Sequence, residues 1–430
     1  MQHKCKGLFF MQIDQLYNIY KQNPEICIDS RKITEGCLFF ALKGETFDGN
    51  QFAAEALRSG AAFAVIDDPE KNQSDRCILV NSVLESLQEL ASYHRKHLNI
   101  PVLAITGSNG KTTTKELCRD VLQKKFNTKA TFGNLNNHIG VPLTILGTPA
   151  AVEFLIVEMG ANHQGEIDFL CRIADPTHVF ITNIGKAHLE GFGGVEGIKI
   201  GKTEMYRYAA KHHGKIFLNL DDEILTTMAP PGSKIIDYSS NNLVKIIEEQ
   251  PFLNFSYSEI IVHTKLYGSY NQPNIAFSIA AGEYFGVETK DIVMALEAYE
   301  PENNRSQITQ VGTNTFIKDA YNANPSSMKL SIESFSKMQG TNKILVLGDM
   351  LELGEFAENE HRQIINLTKT LGFQNSIFVG ENFIKFKDTL HGNYFNNIDE
   401  AREYFKNKNF NHALILLKGS RGISVEKIIP

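Results

Sequence analysis

Residues 104–116 read "AITGSNGKTTTKE", and their types suit the binding of an anion. Gly107 and Gly110 permit a tight turn in which successive backbone N–H groups converge. Lys111 adds a full positive charge, and the hydroxyl of Thr112 suits a Mg2+ ion that bridges phosphates. The polar stretch from Thr112 onward reads as a helix, whose N-terminus contributes the positive end of its dipole. The spacing is short: only Ser108 and Asn109 separate Gly107 from Gly110. The widespread phosphate-loop pattern places four residues between its first glycine and the Gly-Lys pair. A plain glycine turn with an exposed lysine is the competing reading.

Further reactive residue types recur just after apolar runs. Glu158 ends "EFLIVE", where a carboxylate is placed either to hold Mg2+ or simply to face solvent. His188 lies in "TNIGKAHLEGFGG", after "HVFI", as a ligand or a structural imidazole. "GNLNNHIGVPLT" carries Asn136 and Asn137, which serve turn geometry or the recognition of an amide-rich substrate. "KDAYNANPSSM" supplies Asp319, Tyr321, Asn322 and Asn324, more polar groups than a capped strand–helix junction needs. In "KGSRG", Lys418 and Arg421 make a carboxylate or phosphate site, or else a basic surface turn.

The elements that must position these residues follow a strand–turn–helix rhythm. "VLAIT", "FLIVEMG", "HVFITN" and "KIFLN" are apolar runs of buried-strand length, which implies a parallel sheet with helices on both faces. Before them, "CLFFALKG", "QFAAEALRSGAA" and "FAVID" alternate strand, helix and strand. After them come "TFIKD", "KILVLGDM", "SIFVG" and "ALILLKGS". Two polar stretches, "HRKHLNIP" (94–101) and "YEPENNRSQ" (299–307), read as linkers. The expected architecture is three α/β domains: 1–97, 98–300 with a doubly wound, mostly parallel sheet carrying the phosphate loop, and a Rossmann-like 301–430.

Bulk properties narrow the function classes. A net charge of −6 over 430 residues gives no support to nucleic-acid binding. Six cysteines without a C-x-x-C pair suit reduced thiols in the cytoplasm. Gly7–Met11 is too short for a secretory h-region, and Pro142, Pro149, Glu153 and Glu158 break the most apolar window, so no membrane span is expected.

Together these stretches resemble the Mur ligase family, the ATP-dependent amide-forming enzymes of peptidoglycan assembly. "TGSNGKTTTKE" is similar to that family's shortened phosphate loop. "DSRKITEGCLFFALKGETFDG", "GNLNNHIGVPLT", "EMGANHQGEI", "TNIGKAHLEGF", "DAYNANPSSM", "LGDMLELGE" and "KGSRG" follow in order over nearly the whole chain. The nearest resemblance is to the member that adds D-alanyl-D-alanine to UDP-N-acetylmuramoyl-tripeptide, and it implies a cytoplasmic, monomeric enzyme of peptidoglycan precursor synthesis.

The resemblance implies that ATP lies on Thr106, Gly107, Ser108, Asn109, Gly110, Lys111, Thr112 and Thr113. It adds Asn271, Asn274, Arg305, Asp319 and Tyr321 around the nucleotide. Thr112 and Glu158 would bind one Mg2+, and His188 a second, with a carbamylated lysine fourteen positions later, Lys202; Lys199 is a nearby competitor. Lys111, His188 and Lys202 would be catalytic. Ser30, Arg31, Lys43 and Gly44 would grip the uridine nucleotide, while Asn136, Asn137, Asn324, Lys418, Ser420 and Arg421 would face the substrates. Two departures stand out: Asn50 occupies a place where the family often has histidine, and "GIKIGKTE" (197–204) replaces the usual alanine–lysine repeat. A folylpolyglutamate synthetase-like ligase is an alternative, but it lacks a "DSR…LFFALKG" unit. A non-enzymatic nucleotide switch explains Lys111 and Thr112 but not His188, Lys202 or "KGSRG".

Overall fold

The computed structural model describes residues 10–302, 304–340 and 342–429. The fold is α/β, with mostly parallel sheets flanked by helices. By internal contacts the chain forms two compact units. One comprises residues 1–104, 126–160 and 166–178, the other 105–125, 161–165 and 179–430.

The first unit opens with a four-stranded parallel sheet, Ile26–Cys27, Leu38–Phe40, Phe63–Ile66 and Cys77–Leu79, in chain order. Cys37, Phe39, Ala64 and Ile66 pack with Ala53, Ala56 and Leu57 of the adjoining helix into one core. Further on, Thr128–Ala130 runs parallel to Phe154–Glu158, whose five residues are all buried. A continuous apolar run of this kind is what a strand covered on both faces requires.

The first half of the stretch 94–101, expected as a linker, instead completes the helix Val83–His97. Its basic residues occupy the last helical turn, where cations favour the negative end of the dipole. Arg95 is buried and donates to the carbonyls of Ala174, Leu98 and Asp175 at 2.8, 2.7 and 2.9 Å. It thereby satisfies acceptors left open at the end of the helix Glu166–Ala174. The charge pattern was that of a helix terminus, not of a solvated connection.

In the second unit the parallel pair Lys215–Asn219 and Lys234–Tyr238 is followed by an antiparallel three-stranded sheet, Lys245–Glu248, Asn254–Tyr257 and Ile260–His263. The C-terminal part carries a six-stranded sheet. Its hairpin Gln307–Val311/Asn314–Lys318 continues in parallel through Leu414–Lys418, Lys343–Gly348, Asn375–Val379 and Asn393–Phe395. Phe316, Ile344, Val346, Ile377, Ile415 and Leu417 form its core. The expected linker over 299–307 is tied at Tyr299, whose hydroxyl donates to Glu116, and at Asn304, whose carbonyl accepts from Ala320 N–H. Among the described residues no helix is long and apolar enough to cross a membrane. Cys27, Cys37, Cys77, Cys118 and Cys171 are in no disulfide, and Cys5 lies outside the described residues.

Candidate active site

The strand Val102–Thr106 delivers the chain into the glycine turn, and the helix Lys111–Leu122 leaves it with Gly110 as its N-cap. Gly107 and Gly110 have φ of 142° and 80°, values that favour glycine. Space demands glycine as well. A Cβ on Gly107 would collide with the Thr182 hydroxyl, and one on Gly110 would lie 2.6 Å from Asn274 Oδ1.

The loop is held by its surroundings. Ser108 N–H donates to the Asn183 carbonyl at 3.0 Å, and Asn109 N–H to Asn183 Oδ1 at 3.1 Å. Asn183 Nδ2 and the Thr182 hydroxyl both donate to the Asn109 carbonyl. Ser108 Oγ donates to the Gly185 carbonyl and accepts from Gly185 N–H. Lys111 Nζ folds over the turn, donating to the carbonyls of Gly107 and Ser108 at 2.7 and 3.3 Å. Thr106, Thr112 and Thr113 are buried.

Asn271 and Asn274 lie beneath this loop as a buried chain. Thr114 Oγ1 donates to Asn274 Oδ1, Asn274 Nδ2 to Asn271 Oδ1, and Asn271 Nδ2 to the Tyr267 carbonyl. Their direct partners are protein groups, so here they set the loop from below. Asn324 caps the helix Pro325–Lys337 and also donates to Asn109 Oδ1 at 2.7 Å. Its neighbour Ser326 accepts from Lys186 N–H at 2.9 Å.

Tyr321 lies between two cations. The Arg305 guanidinium is 3.6 Å from its ring centroid and that of Arg421 is 5.7 Å away. Asp319 and Lys418 pair with each other at 2.7 Å, and the lysine is only 2 % exposed. Ser420 is buried and accepts from Leu351 N–H.

His188 has φ of 55° and opens the short helix Leu189–Phe192. Its Nδ1 is ion-paired with Glu352 Oε2 without an aligned hydrogen bond. The imidazole beside Glu352 holds that carboxyl below its usual range, against the opposing effect of burial. Lys202 and its sequence competitor part company in the fold. Lys202 is 1 % exposed, donates to the Ala161 carbonyl at 3.1 Å and lies 5.0 Å from the Phe192 ring centroid. Lys199 makes a surface pair with Glu196 one turn away. Glu204 accepts from Gly165 N–H at 2.6 Å.

In the first unit, Glu158 is buried, its N–H donating to Thr131 Oγ1 and its Oε1 accepting from Asn136 Nδ2 at 2.7 Å. Asn137 caps the following turn by accepting from Ile139 and Gly140 N–H, which is the bland reading of an asparagine. Arg31 clasps Asp29 with two nitrogens while its side chain stays in solvent, next to Ser30. Lys43 pairs with Asp67 at 2.9 Å, and Gly44 leaves room for the Phe47 ring. Burial alone would raise the Asp67 carboxyl, yet Lys43 and Asn50 hold it lowered. Asn50, the family's departure, is buried and bonds Asp48 and Asp67 through Nδ2 while accepting from Asp67 and Asp68 N–H. It performs a scaffolding task.

Sequence reasoning did not single out Glu352, Glu360, Asp349 or His361. Glu360 pairs with Lys186 at 2.6 Å, and buried His361 lies 3.5 Å from buried Asp349. One signal was available: Asp349 follows the strand Lys343–Gly348 just as Glu158 ends its own.

Comparison with known proteins matches this geometry to one family. The model of the Mur ligase family catalytic domain matches residues 25–105, that of the Mur ligase middle domain 105–282, and that of the Mur ligase glutamate ligase domain 304–421. A UDP-N-acetylmuramoyl-tripeptide--D-alanyl-D-alanine ligase of Bacillus subtilis is 33% identical, over 94% of this chain and 92% of that protein. A crystal structure of MurF from Acinetobacter baumannii superposes with a TM-score of 0.84 at 31% identity, covering 94% of this chain and 92% of that one. The MurF ligase of Thermotoga maritima in complex with ADP gives a TM-score of 0.82 at 27% identity, over 94% and 96%. With family-model matches that run from residue 25 to 421 and a relative 33% identical over most of its length, the chain belongs to the Mur ligase family.

Proposed function

We propose that this chain is an ATP-dependent ligase that joins D-alanyl-D-alanine to UDP-N-acetylmuramoyl-tripeptide, as a cytoplasmic monomer. The observation that carries the reading is the short glycine turn with Lys111 folded over it, tied to Asn183 and Asn324. Relatives of this chain bear the name of that reaction over most of their length. In this reading residues 1–97 hold the uridine nucleotide, 98–300 the ATP, and 301–430 the remaining ligand contacts.

The peptide carboxylate attacks the γ-phosphorus of ATP, the bond to the ADP oxygen breaks, and an acyl phosphate forms. The amine of D-alanyl-D-alanine then attacks the acyl carbon, phosphate leaves with the bonding electrons, and the nitrogen loses a proton. Two anions must meet in the first step, so a fixed cation is needed where they meet. Lys111 supplies it after exchanging its loop carbonyls for phosphate oxygens, and the turn's N–H groups orient the β- and γ-phosphates. Arg305 and Tyr321 offer a stacked, cationic surface to the nucleotide.

Thr112 would offer a Mg2+ its buried hydroxyl, a hard oxygen donor beside the phosphates. The family resemblance points to His188 and a carbamylated Lys202 as ligands of a second Mg2+, the imidazole and the carbamate oxygen being the donors they would bring. Mg2+, when bound, offsets charge on the transferring phosphoryl group. The testing experiment is phosphate release measured with UDP-muramoyl peptides against D-alanyl dipeptides. Release that requires both acceptors supports the reading, and ATP hydrolysis indifferent to them refutes it.

A further inference from the structure

The C-terminal third reaches His188 through the segment 349–354, which is held at several points. Asp349 anchors its start: its carboxylate accepts from Asn382 and Phe383 N–H at 2.7 and 3.0 Å, and its carbonyl from Ser420 N–H. His361 accepts from Met350 N–H at Nε2 and donates from Nδ1 to the Ala357 carbonyl at 2.6 Å. Met350 and Leu353 are buried on either side of the exposed Leu351 and Glu352. Glu352 itself takes φ of 62°, and its carbonyl accepts from Glu190 N–H. A Cβ on Gly354 would come within 3.0 Å of Glu190 Cγ, so the two loops are closely fitted. One helical turn further, Glu360 holds Lys186, two residues before His188.

We infer that Glu352 is a positioning residue for His188: its carboxylate engages Nδ1 and thereby presents Nε2 to the metal. The inference rests on the proposed metal role of His188. Histidines that bind metals present one nitrogen to the ion and hydrogen-bond the other to a carboxylate or carbonyl, which fixes the tautomer and raises ligand basicity. Glu352 is the group the fold brings to Nδ1. Its carrier loop is built from the C-terminal third, so completing the imidazole site requires that third to be docked. The Lys186–Glu360 bridge gives the docking its register, and the buried Asp349–His361 pair holds the carrier loop within its own third.

The test is Mn2+ binding to the full-length protein with a non-hydrolysable ATP analogue, followed by electron paramagnetic resonance of the free ion. Glu352→Ala is expected to weaken the His188-dependent Mn2+ by roughly 10–100-fold. Its side chain is 53% exposed, so the melting temperature stays that of the parent protein. Glu352→Gln, which keeps an acceptor oxygen beside Nδ1, retains most of the affinity. His188→Ala is the control that separates the two ideas. If His188→Ala binds Mn2+ like the parent, the metal role of His188 fails and this inference with it. If His188→Ala loses an ion while Glu352→Ala does not, or binds it more tightly, the inference alone is overturned. Equal loss in Glu352→Gln and Glu352→Ala also overturns it.

Discussion

Replacing Lys111 by alanine separates the chemistry of the loop from its architecture. In the structure Lys111 Nζ makes two hydrogen bonds to loop carbonyls, at 2.7 and 3.3 Å. Each is worth about 0.5–1.5 kcal/mol net, and a partly exposed amine sits at the low end, so their loss costs about 1 kcal/mol. The helix that follows is anchored independently by buried Leu117, Cys118, Val121 and Leu122. Alanine is also a better helix former than lysine, which returns a few tenths of a kcal/mol. The melting temperature is therefore expected to fall by roughly 2–4 °C at most. The catalytic loss is of another size. Removing one preorganised donor from a developing oxyanion costs about 3–4 kcal/mol, and a full charge at a phosphoryl group costs no less. At about 1.4 kcal/mol per decade, kcat/KM falls by at least roughly 10²–10³-fold. Acceptor-dependent phosphate release and a circular-dichroism melt read the two effects side by side. Turnover within tenfold of the parent in a folded Lys111→Ala protein would refute the phosphate-loop assignment.

Lys202 is expected to carry one carbon dioxide in the native intact mass and to make activity depend on bicarbonate; a fully active Lys202→Ala protein contradicts its role. Asn50→Ala removes four hydrogen bonds around Asp48, Asp67 and Asp68, a loss of about 2–4 kcal/mol. Hydrogen exchange at the Asp67 and Asp68 amides reads it, and unchanged protection there would show that Asn50 holds nothing. Lys418→Met leaves Asp319 without its cation in a largely buried position, a cost of roughly 2–4 kcal/mol once the carboxylate's residual exposure is discounted. Adding Asp319→Asn should recover most of that stability in urea denaturation while ligation stays lost; recovery of ligation would mean the pair is purely structural.

What could be read from the sequence was what is local. Gly107, Gly110 and Lys111 announce their turn because conformation and charge are properties of adjacent residues. The parallel sheets were visible in apolar runs such as Phe154–Glu158, buried throughout. The antiparallel sheet over 245–263 escaped because its tight turn is Ser258-Glu259, both at positive φ, where asparagine or glycine would have advertised a hairpin. Arg95 and its basic neighbours looked like a solvated linker because a helix terminus and a polar connection share a composition. Asparagines were the hardest to place. Asn137 and Asn324 both cap, yet Asn324 also reaches the glycine turn, a distinction that only tertiary structure makes. The pairs Asp319–Lys418 and His188–Glu352 join residues far apart in the chain, so their members could be nominated singly but not matched.

The shortened loop makes its dependence on the rest of the unit physically necessary. With two residues between its glycines, the turn has few groups with which to fix itself. Asn109 is instead gripped on three sides: by Asn183 at its N–H, by Thr182 and Asn183 at its carbonyl, and by Asn324 at its side chain. The first two grips belong to the segment that leads to Lys186 and His188, and the third to a helix cap in the C-terminal third. The same segment is held again by Ser326 at Lys186 N–H, by Glu360 at its ammonium and by Glu352 at the imidazole. The phosphate turn and the histidine loop therefore share their fastenings. A displacement of the C-terminal third would take Asn324 from the turn and Ser326, Glu360 and Glu352 from the histidine loop at once, leaving the turn to its Thr182 and Asn183 bonds.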